Sequence, residues 1–447
     1  MDSFLSSIRV IGGPIPIVIS VLSLLAAVGL LARRIPRGRP RTRWLATVLI
    51  ALVIGAAIGL LACWIVGDLM DAFDVELSPS SRAWVATGFA GIALAAVNLH
   101  RVRARRRVAA VASIVLFALL GALGVNADFG QYTTVGSMFG ARAFEPLTAD
   151  YLALQLSRAG TAPAVEQQLW KTWTAPADMP STGVVGSVTI PGTVSHFAAR
   201  DALIYLPPAA LVANPPALPV LIMLSGQPGS PDHVFLAGHL NRLMDAMAAA
   251  HHGLAPIVVV PDQLSAPSIN PMCVDSAIGN SATYLTVDVP RWIRTNLDVQ
   301  SAATAWGVGG FSQGGTCAIQ LGAAHPELFG SIMDVSGELE PKVGTPAQTI
   351  ARGFAGDAAA YEAAKPLAIL ARESHYPDTV GIFAAGSLDT KYTHWIATIS
   401  AAARMAGMRT IVLNSPGTAH DWATVRFAFT HGFPAVYYQM GLSRSAS

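Results

Sequence analysis

The chain is expected to combine an all-α membrane-spanning unit of four helices with an α/β domain, a mostly parallel sheet carrying helices on both faces. Three observations lead there. Four apolar runs without a charge precede residue 126, and beyond about Gly183 short apolar runs alternate with helical stretches. The composition is 52% hydrophobic and 13% charged, against about 25% charged in soluble domains. Its mean hydropathy of +0.47 fits a protein partly dissolved in lipid. At 447 residues, two units are the natural division. The boundaries read as 1–126 for the membrane unit, 127–180 for a connector and 181–447 for the α/β domain.

The four runs are Ile15–Ala32, Trp44–Val66, Ala83–Leu99 and Val108–Val125. Each is long enough to cross a hydrocarbon core as a helix, which satisfies its backbone polar groups internally. The loop "RRIPRGRPRTR" (Arg33–Arg43) carries six arginines, and "HRVRARRR" (His100–Arg107) carries five. The loop between them holds Asp68, Asp71, Asp74 and Glu76 against Arg82. Positive loops stay in the cytoplasm, so the N-terminus and everything after Val125 are expected outside it. In the first run the arginines follow the apolar segment, the reverse of a signal peptide, so it reads as a retained helix. "GAAIG" (Gly55–Gly59) suits a close-packed helix face. No Asp, Glu, Lys or His lies within a run, which favours anchoring over transport. Inside the connector, "ADYLALQLSRAG" and "AVEQQLWKTW" read as short amphipathic helices.

Residues 127–447 hold 16 Lys/Arg and 22 Asp/Glu, a net of −6, whereas residues 1–126 hold 13 Arg and 5 acids, a net of +8. The acidic second half argues against nucleic-acid binding. "GVVGSVTI" and "RDALIYLPP" open it as a pair of strands. "LPVLIMLSG" and "APIVVVPD" are continuous apolar runs, as in strands buried on both faces. "TAWGVGGF", "FGSIMDVSG", "DTVGIFAAGS" and "MRTIVLNSPG" follow as strands. Between the strands lie the helical stretches "HLNRLMDAMAAAHH", "ATYLTVDVPRWIRTNL", "QGGTCAIQLGAAH" and "KYTHWIATISAAARMAG". Such alternation builds a parallel sheet.

At one strand–helix junction the chain reads Gly310-Phe-Ser-Gln-Gly314. The context matches a nucleophile elbow, in which flanking glycines permit a sharp turn that lifts a serine hydroxyl clear of the sheet. Ser312 is thus the candidate nucleophile, and a hydroxyl needs a base to become reactive. In the α/β-hydrolase order an acid and then a histidine follow. Asp389, directly after "TVGIFAAG", and His420, in "NSPGTAHDW", supply them in that order. Asp334 and Glu338 in "IMDVSGELEP" are the rival acids. His394 falls mid-helix, and His251 and His252 close a helix. The oxyanion donors are expected to be the backbone N–H groups of Gln313 and of Gln227, the latter in "SGQPGS".

Of three cysteines, Cys63 lies inside an apolar run. Cys273 and Cys317 fall in the outer half, where an oxidising compartment would permit a bridge; two buried thiols are the alternative. No His/Cys/carboxylate cluster has metal-ligand spacing and no phosphate loop is present, so no cofactor and no metal are expected.

"GGFSQGGTCAIQLGAAHPELFGSIMDVSGE", "CVDSAIGNSATYLTVDVPRWI" and "GTAHDW" together resemble the "putative esterase" branch of the α/β-hydrolases. That branch includes esterase D (S-formylglutathione hydrolase), feruloyl esterases and secreted mycolyltransferases. The likeness runs from about Gly183 to Tyr438. It implies Ser312 as nucleophile, His420 as base and Asp389 as acid. Where the family carries His-Gly after the third strand, this chain has Ser225-Gly226. The secreted mycolyltransferases have no counterpart of the four-helix anchor. Three functions follow as expectations. The first is an extracytoplasmic serine esterase acting on a lipid or cell-envelope acyl ester. The others are an acyltransferase with the same triad and a catalytically silent binding domain.

Overall fold

The computed structural model describes residues 2–32, 41–71, 75–100, 102–141, 143–156, 168–372 and 375–446. Most of the first arginine-rich loop and much of "AVEQQLWKTW" lie outside them. The chain divides into two compact units, Met1–Ala143 with Ala419–Trp422, and Phe144–Thr418 with Ala423–Ser447.

In the first unit, four helices are long and apolar enough to cross a membrane: α1 (Pro14–Leu31), α2 (Arg41–Cys63, continued to Leu69 by a π turn), α3 (Pro79–Val97) and α4 (Ala104–Phe129). Each overlaps its predicted run. Their outward faces are apolar, with Leu24, Leu49 and Val53 exposed, the surface suited to hydrocarbon. Small residues bring the helices together. A Cβ on Gly55 would lie 2.6 Å from the Phe89 carbonyl oxygen of α3, and one on Gly124 would collide with the Trp84 ring. "GAAIG" is therefore a contact face. Arg82 pairs in bidentate fashion with Asp68 at 2.6 and 2.9 Å.

The second unit is built on an eight-stranded sheet: β1 (Val184–Val188), β2 (Ala202–Leu206), β3 (Val220–Leu224), β4 (Ile257–Val260), β5 (Trp306–Phe311), β6 (Ser331–Val335), β7 (Val380–Gly386) and β8 (Arg409–Ser415). Their spatial order is β1-β2-β4-β3-β5-β6-β7-β8. The first two pairings are antiparallel and the rest parallel. β3 to β7 are buried along their whole length, and β3, β4, β5 and β7 are accordingly continuous apolar runs. β8 is an edge strand, and its alternating exposure reflects that.

The covering helices include α5 (Leu240–Ala250), α6 (Val289–Asn296), α7 (Gln313–Ala324), α8 (Thr390–Met405) and α9 (Trp422–Gln439). The stretch expected as one helix, "ATYLTVDVPRWIRTNL", begins with a π segment, Tyr284–Asp288, before α6. Pro290 is the second residue of α6, directly behind the π segment. Three short helices, Pro346–Gly353, Ala358–Ala363 and Pro366–Arg372, fill the excursion between β6 and β7.

Candidate active site

One residue, Ser312, separates β5 from α7. Its backbone has φ 58° and ψ −120°, a conformation that costs a side-chain-bearing residue about 1–3 kcal/mol and clusters at functional sites. The turn is held by the Ser312 N–H on the Val335 carbonyl at 2.8 Å and the Thr316 N–H on the Ser312 carbonyl at 2.9 Å. Both flanking glycines are required by packing. A Cβ on Gly310 would lie 2.3 Å from the Gly314 carbonyl oxygen, and one on Gly314 2.4 Å from the Ser225 carbonyl oxygen. The elbow is thus a strained corner packed against the end of β3.

Asp389 and His420 follow the carboxyl ends of β7 and β8, the second and third strands beyond β5. Asp389 is fully buried and caps α8, its carboxylate accepting the Tyr392 N–H at 3.3 Å. His420 is 6% exposed, in the tight loop before α9, where the Asp421 carboxylate accepts the Ala419 N–H at 2.8 Å. The two post-strand loops are stitched together. The Ser387 N–H donates to the Ser415 carbonyl and the Leu388 N–H to the Thr418 carbonyl, both at 2.9 Å. The Gly417 N–H adds a bond to Ser387 Oγ at 2.8 Å.

The β3 turn lies directly on Ser312, since a Cβ on Gly226 would stand 3.4 Å from the Ser312 Cβ. The N–H of Gln313, first in α7, and that of Gln227 have no acceptor among the described residues. Free N–H groups at a helix start are suited to developing negative charge. The turn is braced from outside. Arg200 grips the buried Asp262 through Nε and Nη2 at 2.9 and 2.7 Å, and Nη2 also donates to the Gly229 carbonyl at 3.0 Å.

The Gln313 side chain faces away into a buried polar network. It accepts from Gln263 Nε2 and donates to Asn270 Oδ1, each at 3.0 Å, while Gln263 Nε2 also reaches the Ser225 carbonyl at 2.6 Å. Beside it a disulfide joins Cys273 to Cys317, with Cα atoms 5.4 Å apart, tying the post-β4 loop to α7. Gln263, Asn270 and Arg200 were not singled out from sequence. The signal available was polar residues just beyond a buried strand, at "PDQ".

Of the rival acids, Asp334 is wholly buried at the end of β6, with the Gly337 N–H beside its carboxyl. Burial pushes its pKa up to about 7, against the smaller opposing pull of the Gly337 N–H. Burial disfavours the charged form that a relay acid uses, so Asp334 suits that role less well than Asp389. Glu338 is mostly buried, and its N–H donates to Thr316 Oγ1 at 2.9 Å. Among the described residues no group of three or more His, Cys, Asp or Glu could hold a metal ion.

The family described as "Putative esterase" matches residues 198–436. An uncharacterised protein of Corynebacterium glutamicum is 33% identical over 441 residues, which span 95% of this chain and 96% of that one. The diacylglycerol acyltransferase/mycolyltransferase Ag85B of Mycobacterium leprae is 35% identical over 82 residues, 18% of this chain and 24% of that one. Among solved structures, a ferulic acid esterase has TM-score 0.49 at 18% identity, covering 58% of this chain and 99% of its own. An S-formylglutathione hydrolase from Agrobacterium tumefaciens has TM-score 0.47 at 18% identity, covering 59% and 96%. The family match spans more than half the chain and contains Ser312, Asp389 and His420, and on it the chain belongs to the "Putative esterase" family, as a serine hydrolase or acyltransferase of α/β-hydrolase fold.

Proposed function

We propose that this protein is a membrane-anchored serine esterase working outside the cytoplasm on a lipid or cell-envelope acyl ester, with residues 127–180 connecting anchor to enzyme. The observation that carries the reading is the Ser312 backbone, held at positive φ on a strand–helix corner that only glycines at 310 and 314 permit. In the proposed reaction Ser312 Oγ attacks the ester carbonyl carbon while His420 accepts the hydroxyl proton and Asp389 stabilises the resulting imidazolium. The carbonyl oxygen becomes an oxyanion held by the Gln313 and Gln227 N–H groups. The C–O bond breaks and the imidazolium returns its proton to the departing alkoxide. Water then attacks the acyl-enzyme, His420 again taking the proton, and the acid leaves as Ser312 is regenerated.

The four apolar helices support an anchor, and their flanking arginines support the proposed orientation. Tethering concentrates the enzyme on esters in the membrane or wall. The partial likeness to a protein named as an acyltransferase favours a second reading, in which an acceptor hydroxyl replaces water in the last step. Fluorophosphonate labelling of wild type, Ser312→Ala and His420→Ala tests the triad. Wild type should label, Ser312→Ala should not, and His420→Ala should label about a thousandfold more slowly. Folded wild type that takes up no label sinks the enzymatic reading. Product analysis with an acceptor alcohol present separates hydrolysis from transfer.

A further inference from the structure

A cavity lies at the opposite pole of the sheet from Ser312. It holds about 480 Å³ and is lined by residues at the amino-terminal ends of β7 and β8, by the helical turn Leu169–Thr172 and by the end of α9 and the segment after it. Thr379 immediately precedes β7 and Arg409 opens β8. Asp389 follows the other end of β7, and Ser312 that of the parallel strand β5. The separation is roughly 20 Å, the length of a six-residue strand.

The lining is cationic. Lys171, Arg409 and Arg444 border the cavity, with Asp378 as its one carboxylate. This stands out in a half of the chain whose net charge is −6. Among the described residues none of the three cations makes an ion pair. Lys171 Nζ instead lies 4.9 Å from the centre of the Trp170 ring, and Arg409 Cζ 5.9 Å from that of Tyr438. The wall itself is built firmly. The Trp170 N–H donates to the Gly441 carbonyl at 3.2 Å, Gln439 Nε2 to the Asp378 carbonyl at 2.6 Å, and Arg409 Nη2 to Gln439 Oε1 at 2.8 Å.

Three cations around one cavity repel each other unless an anion joins them, and charge-assisted bonds to phosphate are the strong kind. Aromatic faces and amide side chains beside the cations suit the C–H face and hydroxyls of a sugar or polyol. The volume falls in the range of small-ligand sites. We propose that this cavity binds a phosphate ester carried on a sugar or polyol, as a free molecule or as the headgroup of a lipid.

The test is calorimetric titration of the full chain in neutral-detergent micelles with inositol 1-phosphate, inositol and short-chain phosphatidylinositol. Inositol 1-phosphate or the short-chain lipid should bind saturably and more weakly as salt rises. The tighter of the two identifies the source. Lys171→Gln with Arg409→Gln, both exposed side chains, should weaken binding about a hundredfold, a tenfold loss for each charge-assisted bond. Ser312→Ala should bind as wild type does, which separates this site from the proposed hydrolysis. Unchanged fluorophosphonate labelling of the double variant reports that it is folded. Absence of saturable binding by either phosphate ester, equal binding of unphosphorylated inositol, or unchanged affinity in the double variant overturns the proposal.

Discussion

Asp334 offers a quantitative test of how the elbow is underpinned. Its register partners are Gly310 on β5 and Phe383 on β7, neither of which brings a polar side chain. A Cβ on Gly315 would stand 2.7 Å from Asp334 Oδ1, so the carboxyl lies against the first turn of α7. With a pKa of about 7 in the fold and about 3.9 when unfolded, the native state holds a proton that the unfolded chain has released. Between about pH 4 and pH 7 the native state therefore binds more protons, and stability falls as pH rises. The penalty is absent below about pH 4 and complete above about pH 7. Three units at 1.36 kcal/mol each give about 4 kcal/mol as an upper figure. Asp334→Asn cannot ionise and should escape this slope, although its buried amide brings a roughly constant cost of about 1–3 kcal/mol. The quantity to read is thus the gap between variant and wild type against pH. For roughly 300 residues at about 2.1 cal/mol/K each, 4 kcal/mol corresponds to roughly 6 °C in the unfolding transition. Thermal unfolding of both proteins in detergent from pH 4 to pH 8 should show the variant gaining by that amount. A gap that stays flat across this range refutes a protonated Asp334.

Three further outcomes follow from the site. Gly314→Ala should abolish fluorophosphonate labelling and destabilise the fold by about 1–3 kcal/mol, because its methyl meets the Ser225 carbonyl; chemical denaturation reads the second effect. Replacing Cys273 and Cys317 by Ser removes a cross-link spanning 44 residues, and the loop-entropy relation puts the loss at about 4 kcal/mol, measurable as a lowered denaturation midpoint. Arg200→Ala leaves Asp262 buried without its guanidinium and should cost about 3–5 kcal/mol. It also frees the Gly229 carbonyl, so ester turnover should fall more in Arg200→Ala than in Arg200→Lys.

What could be read in advance follows from the range of the forces involved. The strands β3, β4, β5 and β7 announce themselves because burial on both faces favours an uninterrupted apolar run, and that demand is local. Ser312 is legible for a similar reason, since a strained corner admits few residue types beside it. Helix α9 went unread because "THGFPAV" places Gly432 and Pro434 inside it, and local rules place such residues at helix ends. Its burial keeps it helical, since Phe429, Phe433 and Tyr437 are all buried.

The support around the nucleophile belongs to a different category. Gln263 and Asn270 meet the Gln313 side chain across 43 to 50 residues, and each of the two alone looks like an ordinary polar residue in a loop. Asp334 carries the same lesson in reverse. In sequence it was a plausible acid at a strand end, equal in kind to Asp389, and only its neighbours distinguish them. Asp389 opens a helix and accepts a backbone N–H. Asp334 faces a glycine and a phenylalanine, which stabilise none. What separates the two acids is their surroundings, desolvation at Asp334 and a helix N-terminus at Asp389, and no local pattern encodes it.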